Sequence, residues 1–379
     1  MKNKLKIFTF LILLTSCACT EDEKIVFVDG DTLDESPIDS EFPRAKEVVL
    51  EMGAGFNLGN TFDNGQNEAT FQASKPVLDL YISAGMTHVR IPTTWMDRFE
   101  GDHMADADGN INTNHPRFLE LVQLIDYALD QDIYVVLNTH HESWLKDNYD
   151  GSEAFDLKFQ NLWTGIATYF EDRSNHLIFE VLNEPEGNLG EFDGDGPFPD
   201  PTDATALEYT RHLNNVGYEA IRATGGNNTT RIVMVGVNSQ GNALYIDEVY
   251  PNQISLPGEG ADDYLAIQVH SYSPWDFCGE IGSNAAFPGN SFFEQGIQDV
   301  SVHASLLDVA INYGEFGVGR ESNQNERNTP LVRGYYKTVA DATLGQSMSY
   351  TVWDDRGWFR LVNDEATDFS YDIIPTMLD

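Results

Sequence analysis

From about residue 44 onward the apolar positions of this chain follow two alternating rhythms. Short runs such as Ile133–Leu137 and Ile232–Val235 are apolar at every position, as strands covered on both faces by helices must be. Eight runs are predicted as strands: Gly55–Gly59, His88–Pro92, Ile133–His140, Leu177–Glu184, Arg231–Val237, Tyr264–Tyr272, Asn312–Gly317 and Met348–Asp354. The stretches between them have helical period. Pro116–Asp130 carries Phe118, Leu121, Val122, Ile125 and Leu129 along one stripe. Ser74 with Pro76, Asp203 ahead of Ala204–Ala223, and Ser291 mark helix starts, while Gly225-Gly226 marks a stop. Eight β/α units, without an internal repeat or a second linker, predict an α/β fold with one (β/α)8 TIM barrel over residues 44–379. The Gly-, Asp- and Pro-rich segment Gly187–Pro201 reads as a long loop on the active face, and Asp106–Asn110 as a tight turn.

Before residue 44 the pattern changes. Lys2, Lys4 and Lys6 precede the apolar run Ile7–Leu14, the layout of a signal peptide over residues 1–16 and too short a run for a permanent membrane span. It ends in Leu14-Thr15-Ser16-Cys17, which resembles a bacterial lipobox and implies lipidation of Cys17. Residues 17–43 read as an acidic tether. These features predict an exported outer-membrane or cell-surface lipoprotein, touching the membrane through its lipid only, with a periplasmic or secreted protein as the alternative. Of the remaining cysteines, Cys19 lies in the tether and Cys278 deep in the chain, so no structural disulfide is expected.

Composition narrows the partner. The 379 residues are 41% hydrophobic and 22% charged, enough apolar surface for a large core. Lys plus Arg number 22 against 61 Asp plus Glu, a net charge of −39 that repels nucleic acid and anionic lipid. A neutral or cationic partner and a monomeric chain are expected.

In such a barrel the chemistry sits where strands end. The polar residues closing the predicted strands are Arg90, then Asn138 with His140-His141-Glu142, then Asn183-Glu184-Pro185, His270 with Tyr272, Glu315, and Trp353. Strands 4 and 7 face each other across the mouth, so Glu184 and Glu315 form an opposed carboxylate pair, the apparatus of glycoside hydrolysis.

The segments Phe56-Asn57-Leu58-Gly59-Asn60-Thr61-Phe62-Asp63, Val89-Arg90-Ile91-Pro92, Asn138-Thr139-His140, Leu182-Asn183-Glu184-Pro185, His270-Ser271-Tyr272 and Gly314-Glu315-Phe316-Gly317 resemble glycoside hydrolase family 5. Arg222–Asn228 and Tyr272-Ser273-Pro274 further resemble its endo-β-1,4-glucanase and xyloglucanase branch. The resemblance implies a retaining double displacement with Glu184 as acid/base and Glu315 as nucleophile. It implies a substrate role for Arg90, His140, Asn183, His270, Tyr272, Trp353 and Asn60, with Arg90 keeping Glu315 ionised and Trp353 flooring the subsite of the cleaved sugar. Trp95, Trp144, Trp275 and Trp358 are candidate sugar platforms in loops, and Trp163 is core. His141, Glu142 and His303 read as structural or surface residues, and His88 has no catalytic role. The implied partner is a β-glucan polysaccharide or oligosaccharide, and neither cofactor nor metal is called for. Xyloglucan, mixed-linkage β-glucan and β-mannan stay open as substrates. Two rival classes remain: a metal-dependent hydrolase built on His140, His141, Glu142 and His270, and a non-catalytic glycan-binding lipoprotein.

Overall fold

The computed structural model describes residues 43–191 and 197–379. The predicted signal peptide, Cys17, Cys19, the predicted tether up to residue 42 and the centre of the Gly187–Pro201 segment lie outside the described residues. Eight parallel strands close into a barrel in sequence order. They are β1 Ala54–Asn57, β2 His88–Ile91, β3 Tyr134–Asn138, β4 Leu177–Glu180, β5 Val233–Gly236, β6 Leu265–Ser271, β7 Ala310–Phe316 and β8 Ser349–Val352. The flanking helices are α1 Ala45–Met52, α2 Phe71–Ser83, α3 Pro116–Asp130, α4 Glu153–Tyr169, α5 Ala204–Ala223, α6 Asn290–Leu307, α7 Pro330–Gly345 and α8 Ile373–Leu378. The β5–β6 connection carries only short helical turns such as Ile246–Val249.

Alternation along the strands divides the core in two. Outward residues such as Val135, Leu137, Phe179, Ile267 and Ile311 share one cluster with helix residues such as Leu121, Ile125, Phe159, Ile166 and Leu213. Inward residues Tyr134, Val136, Ile178, Met234, Ala266 and Ala310 pack with Val48, Val49 and Met52 of α1, which plugs the lower lumen. Higher in the lumen the inward positions turn polar, with Asn57, Arg90, Asn138, Glu180, Gln268 and His270 all buried. Hence the barrel has an apolar base and a polar top.

His88 belongs to the packing, as expected. Its Nδ1 lies 2.7 Å from the Met52 carbonyl and its Nε2 2.8 Å from Thr351 Oγ1. Burial pushes the imidazole down to about 4, so it is neutral. A β-carbon at Gly55 would fall 2.2 Å from His88 Nε2, which is why the facing position is glycine.

Several predicted boundaries shift. α2 begins at Phe71, capped by Thr70 Oγ1 on Ala73 N at 3.3 Å, so Ser74 and Pro76 lie inside the helix. Asp203 does cap α5, accepting from Thr205 N at 2.9 Å and Ala206 N at 3.1 Å. β3 and β4 stop short of their predicted ends, leaving His140 and Glu184 on the loops above the rim. Asp106 closes the predicted tight turn by accepting from Asp108 N and Asn110 N.

Candidate active site

Glu315 reaches the lumen through an irregularity. In regular alternation it would share the outward phase of Ile311 and Tyr313, which pack on the helices. The β6–β7 register pairs Val269 with Tyr313 but His270 with Glu315, leaving Gly314 as an extra residue. This bulge turns Glu315 inward, the re-aiming that bulges perform beside sites.

Arg90 organises the polar layer. Its Nε and Nη2 fork onto Glu180 at 2.6 and 2.8 Å, and Nη1 donates to Glu315 Oε1 at 2.6 Å and to Asn57 Oδ1 at 2.8 Å. Nη2 also donates to Asn183 Oδ1 at 2.5 Å. With its carbonyl oxygen so engaged, Asn183 leaves a buried Nδ2 without a protein partner. Such a donor awaits a ligand oxygen. Tyr272 OH donates to Glu315 Oε2 at 3.1 Å, and His270 Nδ1 lies 2.8 Å from Glu184 Oε1. His270 Nε2 is likewise buried and unpartnered.

The two glutamates bring their nearest carboxylate oxygens within 4.8 Å of each other. Glu184 is pushed up to about 7 by burial, with Glu186 adding to the rise and Lys146 and Arg90 opposing it. Glu315 is also raised by burial, against which His270 and Arg90 pull. Burial thus outweighs these partners in the direction of the shift, while Arg90 sits against Glu315 as expected and favours its charged form. His270 is pushed down to about 4 by burial and His140 well below its ordinary range, so both imidazoles are neutral near pH 7.

An open cleft of about 1010 Å3 surrounds this pair, lined by Asn60, Gln66, His140, His141, Glu184, His270, Tyr272, Trp275, Glu315, Trp353 and Trp358 among others. The Trp353 ring lies parallel to His140, 4° between planes with centroids 6.2 Å apart. A β-carbon at Gly59 would stand 2.8 Å from the Trp353 ring and 2.9 Å from the Asp354 carbonyl oxygen, so glycine lets the indole lie flat. Trp275 and Trp358 expose 48% and 47% of their surface at the cleft, available to a ligand.

Two tryptophans depart from expectation. Trp95 is fully buried, donates Nε1 to the Asn138 carbonyl at 2.9 Å and packs on Phe118, so it is core and not a sugar platform. Trp144 stacks on Phe155 and under Lys158, away from the cleft residues. Trp163 is core, and His303 bonds the Tyr250 carbonyl, as expected.

The metal alternative is not assembled as drawn. Glu142 turns away to accept from Trp95 N at 2.7 Å and Trp144 Nε1 at 2.6 Å, which fixes the loop and removes it from His140 and His141. Asp63 instead joins His140 and His141 within 4.8 Å. Burial lifts Asp63 to about 7 and pushes His141 to about 3. Sequence reasoning missed Asp63, Glu180, Lys146 and Glu186. Glu180 left a signal as a lone carboxylate inside the apolar run Leu177–Leu182, and Asp63 as the end of the Phe56–Asp63 segment, to which sequence reasoning assigns no role.

A closed (β/α)8 barrel holding a carboxylate pair of this spacing in an aromatic, open cleft defines a barrel glycosidase. The sequence model of the cellulase family, glycosyl hydrolase family 5, matches residues 51–356, and the chain belongs to this family. Endoglucanase A of Clostridium longisporum is 30% identical over 353 residues, covering 86% of this chain and 63% of that protein. Endoglucanase B of Ruminococcus albus is 29% identical, covering 91% of this chain and 80% of that protein. Among solved structures, the broad-specificity endoglucanase of Clostridium longisporum superposes with a TM-score of 0.72 at 24% identity, covering 89% of this chain and 98% of that one. That of Ruminococcus champanellensis, with bound cellotriose, superposes with a TM-score of 0.72 at 23% identity, covering 89% and 99%. These two likenesses concern the fold.

Proposed function

We propose that the protein is an endo-acting β-1,4-glucanase that retains anomeric configuration by double displacement. The observation that carries this reading is the Glu184–Glu315 pair, oxygens within 4.8 Å and Glu184 pushed up to about 7. A protonated Glu184 gives its proton to the glycosidic oxygen while Glu315 attacks the anomeric carbon. The bond to the leaving chain breaks and a glycosyl ester forms on Glu315. Glu184, now a carboxylate, takes a proton from water, which displaces the ester. Inverting enzymes separate their carboxyls by about 6.5–9.5 Å to seat a water, and this pair is closer. Arg90 and Tyr272 hold Glu315 for attack. Asn183 Nδ2 is free to meet the sugar 2-hydroxyl, and Trp353 floors the reacting sugar. Asn60 lines the cleft edge.

The open cleft suits internal cleavage of a chain, and the relatives named endoglucanases and the neighbour holding cellotriose support a β-glucan substrate. The test is hydrolysis of soluble cellulose derivatives, mixed-linkage glucan, xyloglucan and mannan by the purified protein. Viscosity falling ahead of reducing-end release, with Glu315→Gln inert, is expected. A wild-type protein inert on all four, or viscosity tracking end release from the start, contradicts the proposal.

We also propose export as a lipoprotein anchored at Cys17, supported by the lipobox-like Leu14-Thr15-Ser16-Cys17. Among the described residues no helix is long and apolar enough to cross a membrane. Cys17→Ser should move the protein from the membrane to the soluble fraction, and retention of the processed variant contradicts the anchor.

A further inference from the structure

Lys146 ends the helical turn Ser143–Lys146 above β3, and its side chain is 1% exposed. An ammonium so placed needs partners. Nζ donates to the backbone oxygens of Asn183 at 3.3 Å and Glu184 at 3.1 Å, and pairs with Glu186 Oε1 at 3.1 Å. Glu186 Oε2 accepts from Gln240 Nε2 at 3.1 Å, while Gln240 N donates to the Pro185 carbonyl at 3.2 Å. Three consecutive carbonyls, Asn183 to Pro185, are thus tied down from the loops after β3 and β5. Glu184, in the middle, has φ +43°, a left-handed conformation that a residue with a β-carbon holds only when its surroundings enforce it.

We propose that Lys146, braced by Glu186 and Gln240, is the positioning residue that holds the Glu184 peptide and aims its carboxyl at the leaving-group oxygen. The inference rests on the reading of Glu184 as the acid. Lys146 touches neither substrate nor the reacting atoms. It acts through two carbonyls and through its charge.

The titratable and charged groups facing Glu184 come from every side: Glu186 on its own loop, Lys146 after β3, Arg90 on β2, Glu180 on β4, the neutral His270 on β6 and Glu315 on β7. Within this set Glu186 raises the Glu184 carboxyl and Lys146 lowers it. Two neighbours of opposite sign therefore predict opposite consequences when neutralised.

The experiment measures kcat/KM against pH for the full chain, on a β-glucan oligosaccharide and on an activated aryl β-glycoside whose leaving group needs no proton. Lys146→Met should lose on the order of tenfold or more on the oligosaccharide, within the roughly 10²–10⁴-fold that general acid catalysis supplies, and change little on the aryl glycoside. Its alkaline limb should move to higher pH. Glu186→Gln, which keeps shape and hydrogen bonding, should move that limb to lower pH, and it carries the test alone if Lys146→Met fails to fold. Equal loss on both substrates, or limbs that stay in place, overturns the proposal. Glu184→Gln on the same two substrates separates the failures. If it loses equally on both, the acid assignment is at fault. If it spares the aryl glycoside while Lys146→Met does not, only the positioning role falls.

Discussion

Glu184 and Glu315 share a residue type and a neighbourhood, yet their partners differ. Glu315 accepts from Arg90 and Tyr272, hydrogen bonds that favour its charged form, while Glu184 faces Glu186 and a neutral His270. The positions of the pair were legible in the sequence because each residue closes a recognisable run, whereas the division of roles came only from the family resemblance. The tryptophans were not legible, because loop position says nothing of which way an indole points. Trp95 shares the loop signature of Trp358 but donates its N–H to a strand carbonyl inside the core. The difference predicts separable phenotypes. Trp95→Ala should cost stability by about 3–5 kcal/mol, as large core truncations do. Trp358→Ala should leave the melting temperature in place and raise KM for polymer about twofold to thirteenfold, the worth of roughly 0.5–1.5 kcal/mol of ring stacking. Calorimetry with steady-state kinetics checks both, and a stable Trp95→Ala or an unchanged KM for Trp358→Ala contradicts the assignment.

At the scale of elements, eight strands and their order followed from short β-rich runs alternating with stretches of helical period, even though the inward positions turn polar toward the mouth. What alternation could not reveal was the extra residue at Gly314 that resets the phase of β7, because a bulge is written in pairing with β6 and not in β7 itself. Nor could it reveal that β4 ends at Glu180, four positions before the acid, leaving Glu184 to be held by loops. Contacts between elements likewise explain Gly59, where the β1 loop lies on the Trp353 ring of the β8 loop. Gly59→Ala should displace that ring, raising KM and lowering stability by about 1–3 kcal/mol, the usual penalty of overpacking. Thermal melts and kinetics read this directly, and a variant normal in both would show that the ring does not depend on the glycine.

Over the whole molecule, buried titratable groups set how stability varies with pH. Burial raises Asp63, Glu142 and Glu184 to about 7 and Asp354 to about 6, so the folded state holds protons that the unfolded chain has released. Stability from these groups is complete below about pH 4 and is lost as pH rises through about 7. The buried histidines work the other way. His88 and His270, pushed down to about 4, and His141, to about 3, contribute stability that is present above about pH 6.5 and lost as pH falls through about 4. The two sets oppose each other between about pH 4 and 6.5, and above that window only the carboxyls still titrate. The melting temperature should therefore be lower at pH 8 than at pH 6, with self-repulsion of the −39 chain adding to the fall. A value at pH 8 equal to or above that at pH 6 contradicts these ionisation states.

The central claim joins fold, site and chemistry: opposed strands bring two carboxyls close enough for direct attack by Glu315, nearer than the roughly 6.5–9.5 Å of inverting pairs. Proton NMR of the anomeric region during the first minutes of β-glucan digestion tests it most directly. Two successive inversions leave the new reducing end in the β configuration, which should accumulate first and then mutarotate. Initial accumulation of the α-anomer would mean a single displacement by water and would contradict the account.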